Sequence, residues 1–119
     1  MNQFYPALLL TLLGAATSAA HLAYIPNEKS GTVSVVDTAT DTVLREIAAG
    51  KRPRGIAADA AGRTLYLTDA GASALLVLDA GGGPAHSPIA LGPSAEGVHA
   101  SADGRWIAVE AWANCPGVC

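Results

Sequence analysis

From Leu22 onward the apolar residues come in short runs cut by turn-forming residues. The runs are Leu22 to Pro26, Thr32 to Asp37, Thr42 to Ala48, Arg54 to Asp59 and Arg63 to Thr68, separated by Glu28-Lys29-Ser30-Gly31, Thr38 to Asp41 and Ala60-Ala61-Gly62. Short apolar runs bounded by such clusters read as strands of an antiparallel sheet. The last joint recurs as Ala102-Asp103-Gly104, where Asp-Gly is a hairpin pair because Gly takes positive φ without steric cost. The chain beyond residue 20 has few long helix-forming side chains and is rich in Ala, Gly and Val, which favours strands and turns throughout.

The pattern repeats. Sliding the chain by 42 residues lays 23–64 on 65–106 without a gap: Tyr24 on Tyr66, Val35 on Val77, Asp37 on Asp79, Ile47 on Ile89, Gly50 on Gly92, Gly55 on Gly97, Gly62 on Gly104 and Arg63 on Arg105. Asn27/Asp69, Val33/Leu75 and Ile56/Val98 are conservative pairs in the same frame. A third unit begins at 107 and stops at Cys119, in line with Val35 and Val77. Four short strands in a period of this length is the sequence form of a β-propeller blade. The expected fold class is therefore all-β: a partial β-propeller of about two four-stranded antiparallel blades plus the start of a third.

Three segments carry a family resemblance: Ala23-Tyr24-Ile25-Pro26-Asn27-Glu28, Gly31 through Val43, and Ile47-Ala48-Ala49-Gly50-Lys51-Arg52-Pro53-Arg54-Gly55-Ile56-Ala57. Together they closely resemble the YVTN-type β-propeller repeat of YncE-like and cytochrome d1-like propellers. The match is looser in the second unit, where Ala80-Gly81-Gly82-Gly83-Pro84 and Ala70-Gly71-Ala72-Ser73 replace the usual turns. The resemblance implies a closed ring, commonly periplasmic or extracellular, in a family that includes haem- and quinone-associated propellers as well as plain binding proteins. It places Arg54 to Asp59 and Glu96 to Ser101 innermost, where the small Ala57, Ala58 and Ala100 suit tapering blades. On the same reasoning the first unit starts at its second strand and the last stops in mid-strand, so the chain reads as a truncated frame with exposed sheet edges.

Composition narrows the function classes. Half of the 119 residues are apolar, only 14% are charged and the net charge is −3, which excludes a disordered chain. The few basic residues lie mostly singly, so nucleic acid is not an expected partner. Residues 1–20 read as a secretory signal: Ala7 to Ala16 is an apolar run too short to cross a bilayer, and Thr17-Ser18-Ala19-Ala20 supplies small residues for cleavage after Ala19 or Ala20. The n-region Met1 to Pro6 departs from the usual pattern in having no Lys or Arg. A periplasmic or secreted protein is expected, with residues 21–119 as the propeller segment and no membrane contact after cleavage.

Candidate chemistry is sparse. Lys51-Arg52-Pro53-Arg54 is the one dense basic cluster and leads into an innermost strand, so Lys51, Arg52 and Arg54 are candidates for docking a small anionic ligand at the channel mouth. The competing reading is a solvated loop whose turn Pro53 fixes. Glu96 stands at the equivalent place in the next unit and is a further ligand-binding candidate, so basic charge is not built up by repetition. His99 lies on an expected inner strand as a candidate axial ligand or proton carrier, against the plainer reading of a structural histidine. Cys115 and Cys119 flank Pro116-Gly117-Val118 and suit a small disulfide in an oxidising compartment; they lack the spacing of a haem-attachment motif. Asp37, Asp59, Asp79 and Asp103 stand at strand ends, where turn chemistry accounts for them. No catalytic set and no metal-ligand spacing appears, and no cofactor follows from these residues; haem enters only through the resemblance. The expected function is a non-catalytic exported propeller that binds a protein partner or small ligand through channel-side loops. The alternatives are the start of a redox-associated propeller that carries or docks to a haem or quinone enzyme, and a lactonase-like hydrolase.

Overall fold

The computed structural model describes residues 21–111. Residues 1–20, expected to form a secretory signal, Trp112, and Cys115 and Cys119 lie outside the described residues. Within them every regular element is a strand: β1 Leu22–Asn27, β2 Thr32–Asp37, β3 Thr42–Ala48, β4 Pro53–Ala58, β5 Thr64–Asp69, β6 Ala74–Asp79, β7 Ile89–Ala90, β8 Ala95–Ala100 and β9 Ile107–Ala111. They form three antiparallel sheets in the orders β1-β2-β3, β4-β5-β6-β7 and β8-β9. Strands pair with their sequence neighbours within each sheet, as in successive propeller blades.

The repeat is legible in the hydrogen bonds. Ala49 N donates to Gly31 O at 2.8 Å, and 42 residues on Leu91 N donates to Ser73 O at 2.8 Å. Asp59 N to Thr64 O at 3.0 Å recurs as Ser101 N to Trp106 O at 2.9 Å, and Gly62 N to Asp59 O at 3.0 Å as Gly104 N to Ser101 O at 3.0 Å. The aspartates at strand ends act on local backbone. Asp37 accepts from Ala39 N at 2.8 Å, Asp79 from Gly81 N at 2.7 Å, Asp59 from Arg63 N at 2.7 Å and Asp103 from Arg105 N at 3.1 Å. Asp59 therefore belongs to the hairpin rather than to the strand, and β4 ends at Ala58.

Each sheet buries one face on the next. Val33, Val35 and Ile47 of the first sheet pack with Leu65, Leu67 and Leu78 of the second, with Leu22, Tyr24 and Ile56 at the margin. Leu65 and Leu67 are fully buried, each contributing about 1.5–3 kcal/mol of apolar burial. The other face of β5 and β6, with Thr68 and Leu75 buried, turns toward the third sheet, whose Val98 is buried in return. β8 lies beside β4 and β5, and β4 beside β1. β4 and β8 are thus neighbours, as innermost strands of adjacent blades would be.

One expected element is much reduced. The outer strand of the second unit shrinks to Ile89–Ala90. Gly82 and Gly83 take φ of 120° and 90°, and Pro84 and Pro88 have no N–H to give a ladder, so after Asp79 the chain meets β6 at the isolated bridge Leu78–Pro84 and rejoins the ladder at Ile89. In the first unit the shorter turn Thr38 to Asp41 returns the chain directly into the seven-residue β3.

Candidate functional site

The basic loop is held down by a carboxylate the sequence did not advertise. Asp69, the last residue of β5, is 1% exposed and accepts from Lys51 N at 3.0 Å, Arg52 N at 2.9 Å, Gly71 N at 2.9 Å and Ala72 N at 3.3 Å. Burial pushes its pKa up, but the four backbone donors pull harder and the net direction is down. Glycine is needed on both sides of this clamp: a Cβ on Gly71 would stand 2.7 Å from Lys51 Cβ, and one on Gly50, at φ 81°, would reach 3.0 Å from Asp69 Cγ. The loop Lys51-Arg52 is therefore pinned to the β5–β6 turn by its main chain, which leaves its side chains to face outward.

Those side chains meet carboxylates from two other sheets. Arg52 Nη2 donates to Glu28 Oε1 at 2.5 Å and Arg54 Nε to the same oxygen at 3.2 Å, while Arg54 Nη1 pairs with Glu96 Oε1. Glu28 sits in the β1–β2 turn, Arg54 is the second residue of β4, and Glu96 is the second residue of β8. Hydrogen bonds from Arg52 and then Arg54 hold the Glu28 carboxyl below its ordinary pKa. The chain thus runs Arg52, Glu28, Arg54, Glu96 across all three sheets. Arg54 and Glu96 occupy equivalent places in consecutive units, so the break in repetition seen in the sequence is an ion pair between neighbouring blades.

The approach of β4 and β8 depends on a second pair of equivalent residues. A Cβ on Gly55 would lie 3.0 Å from Gly97 Cα and 3.0 Å from Thr68 Oγ1. The β4–β5 ladder is irregular between Pro53 and Ile56, and Gly55 N donates instead to Thr68 Oγ1 at 2.8 Å; that hydroxyl donates onward to Glu96 O at 2.6 Å. One side chain so ties an N–H of the second sheet to a carbonyl of the third. Beside this seam is an open cleft of about 540 Å³ lined by Pro26, Glu28, Pro53, Arg54, Gly55, Glu96 and Gly97.

The candidates from the sequence divide accordingly. Arg54 and Glu96 line the cleft, Arg52 is joined to it through Glu28, and both arginines are already engaged by carboxylates rather than bare. Lys51 is exposed and lends its backbone N–H to Asp69. His99 lies apart, on the face of β8 turned away from the second sheet, with Nε2 3.3 Å from Glu110 Oε1 and both side chains mostly exposed. Glu28 and Asp69 are the functional residues missed. Glu28 looked like one polar residue of a turn, and Asp69 showed only as the repeat mate of Asn27. Among the described residues no group of three or more His, Cys, Asp and Glu is placed to hold a metal ion.

No family model and no curated protein matches the chain. Among solved structures it is similar to hydrazine synthase from Kuenenia stuttgartiensis, with 26% identity and a TM-score of 0.70 over 76% of this chain and 26% of that one. It is also similar to the dihydro-heme d1 dehydrogenase NirN in complex with DHE, with 18% identity and a TM-score of 0.57 over 87% of this chain and 23% of that one. Both are β-propeller proteins, and the sheets described above are those of a partial propeller. The chain spans about a quarter of the length of these two solved chains.

Proposed function

We propose that this chain is the non-catalytic propeller segment of an exported protein and that it binds a small anionic ligand at the cleft between β4 and β8. The observation that carries the reading is a cleft bordered by three sheets and lined by Arg54, with Arg52 reaching its edge through Glu28 and the carboxylate partners partly open to solvent. Exposed ion pairs are weak, so Glu28 can be exchanged for a carboxylate or phosphate that brings more acceptor atoms to the same two guanidinium groups. Calorimetric titration with succinate and with inorganic phosphate tests this. Arg54→Ala abolishes binding, and Glu28→Gln, which frees Arg52 and leaves Arg54 paired only with Glu96, tightens it. Equal affinity in all three proteins would sink the proposal.

A second reading, a propeller that belongs with redox enzymes, is favoured by the likeness to hydrazine synthase and to NirN. The described residues do not make a haem site: the cleft is lined by no His, Met or Cys, and His99 stands on another face. In this reading the segment docks against a redox enzyme and positions it. Visible absorption of the purified protein discriminates, since a Soret band stoichiometric with the chain contradicts a haem-free segment. Export is tested by fractionation and by a mature N-terminus at Ala20 or His21.

A further inference from the structure

A second cleft, of about 330 Å³, opens between the first and second sheets at the other end of β1 from Glu28; Leu22, Tyr24, Arg45, Arg63, Asp79 and Ala80 are in its lining. The register brings these side chains face to face. Val35 is buried against the second sheet, and Tyr24 and Arg45 are its cross-strand partners on β1 and β3, so both stand on that face; Leu22, two residues before Tyr24, joins them. On the opposite wall Leu65 and Leu67 face the first sheet, and Arg63 precedes Leu65 by two. Ala80 N donates to Arg63 O at 2.8 Å, which carries the β5–β6 ladder one step past the Thr64–Asp79 pair.

The charges in this cleft are unmatched. Arg45 Nη2 reaches across the seam to donate to Ala80 O at 2.5 Å, which spends one arm of its guanidinium. Among the described residues the Arg63 guanidinium makes no hydrogen bond, and neither Arg45 nor Arg63 forms an ion pair, whereas Arg52 and Arg54 are answered by Glu28 and Glu96. Asp79 turns its Oδ1 to Gly81 N at 2.7 Å. The lining thus carries two cations against one anion on a chain whose net charge is −3. Sheet stacking does not call for this: Tyr66 and Arg105 stand one unit on from Tyr24 and Arg63, but Ser87 stands where Arg45 would recur.

We infer that this cleft is a second binding site, for a small carboxylate with an apolar body such as an aromatic acid. The carboxylate takes the unspent N–H groups of Arg45 and Arg63, and two acceptor oxygens between two guanidinium groups relieve their mutual repulsion. The body lies on the half-buried Leu22 and Tyr24, the apolar part of the wall. A bare anion uses the arginines alone and leaves that wall wet. The site is built by the first two sheets and does not depend on the cleft between β4 and β8.

Calorimetric titration of the full chain at low salt with benzoate and with acetate tests this, with the fold followed by circular dichroism. Benzoate binds one to one and about tenfold or more tighter than acetate, which has the head without the body. Arg45→Gln and Arg63→Gln keep the strand spectrum and each weaken benzoate about tenfold or more. Arg63→Gln carries the test alone if Arg45→Gln, which also disturbs the link to Ala80, fails to fold. No benzoate binding, equal affinity for benzoate and acetate, or unchanged benzoate affinity in Arg63→Gln overturns the inference. So does benzoate binding that survives both variants and falls in Arg54→Ala, which puts the anion at the other cleft. That cleft is read with succinate and phosphate and this one with benzoate, so either reading can fail without the other.

Discussion

At the residue scale the most consequential side chain is Asp69. Replacing it with Ala strands the backbone N–H groups of Lys51, Arg52, Gly71 and Ala72, and we expect a loss of about 2–3 kcal/mol in urea unfolding. The pH dependence follows from the direction of its shift. Its folded pKa lies below the ordinary 3.8, so its stabilisation is fully present above that value and disappears as pH falls through the lower, folded one. Asp69→Asn should therefore flatten the acid limb of the stability curve and leave the difference from the unaltered chain largest near neutral pH. Ser73 offers a gain. It sits at φ 51° where its repeat mate Gly31 has φ 69°, and it makes the same carbonyl contact. Ser73→Gly relieves left-handed backbone strain and should raise stability by about 0.5–1 kcal/mol, read as a higher denaturant midpoint at unchanged slope.

At the element scale the seam between β4 and β8 sets the behaviour. Gly55→Ala puts a methyl group against Gly97 and the Thr68 hydroxyl, and the inner strands must part; the expected cost is about 1–3 kcal/mol by chemical denaturation. Charge exchange isolates the Arg54–Glu96 pair. Arg54→Glu alone sets three carboxylates together, and adding Glu96→Arg should restore much of the lost midpoint, with a coupling that shrinks as salt is raised. Much of this scale was legible in the sequence. The strands fall where the apolar runs lie, with ends off by a residue at Asn27, Pro53, Asp59, Arg63 and Asp69, because those runs and their Gly and Asp punctuation are local signals. β7 was not legible, since the 42-residue frame aligns without a gap while Gly82, Gly83, Pro84 and Pro88 remove the backbone geometry and donors a full strand needs.

At the scale of the whole molecule the sequence spoke clearly about sheets and poorly about the site. The repeat announced the stacking of sheets because both depend on the same spacing. Glu28 and Glu96 come from different units, and a contact between units leaves no periodic trace; the basic cluster and Glu96 stood out as separate candidates, and Glu28, which joins Arg52 to Arg54, did not. Gly55 and Gly97 were visible as a repeat match, yet their closeness and the need for glycine there appear only once β8 is laid beside β4. Cooperativity is the global property at stake. Thr68 links the second sheet to the third through its single hydroxyl, so Thr68→Val leaves both Gly55 N–H and Glu96 C=O without that partner. We expect about 1–3 kcal/mol of destabilisation together with faster amide exchange on β8 and β9 than on β1 and β2.

The hydrogen bonds that recur at a fixed offset have a genetic consequence. Ala49 to Gly31 and Leu91 to Ser73 are the same joint made from different letters, so recombination between equivalent codons would add or drop one whole cassette. Every junction in the product would be of a kind the protein already tolerates. Length would then be the most freely varied property of such a chain, and the charges carried by residues such as Arg54 and Glu96 would decide which cassette can follow which.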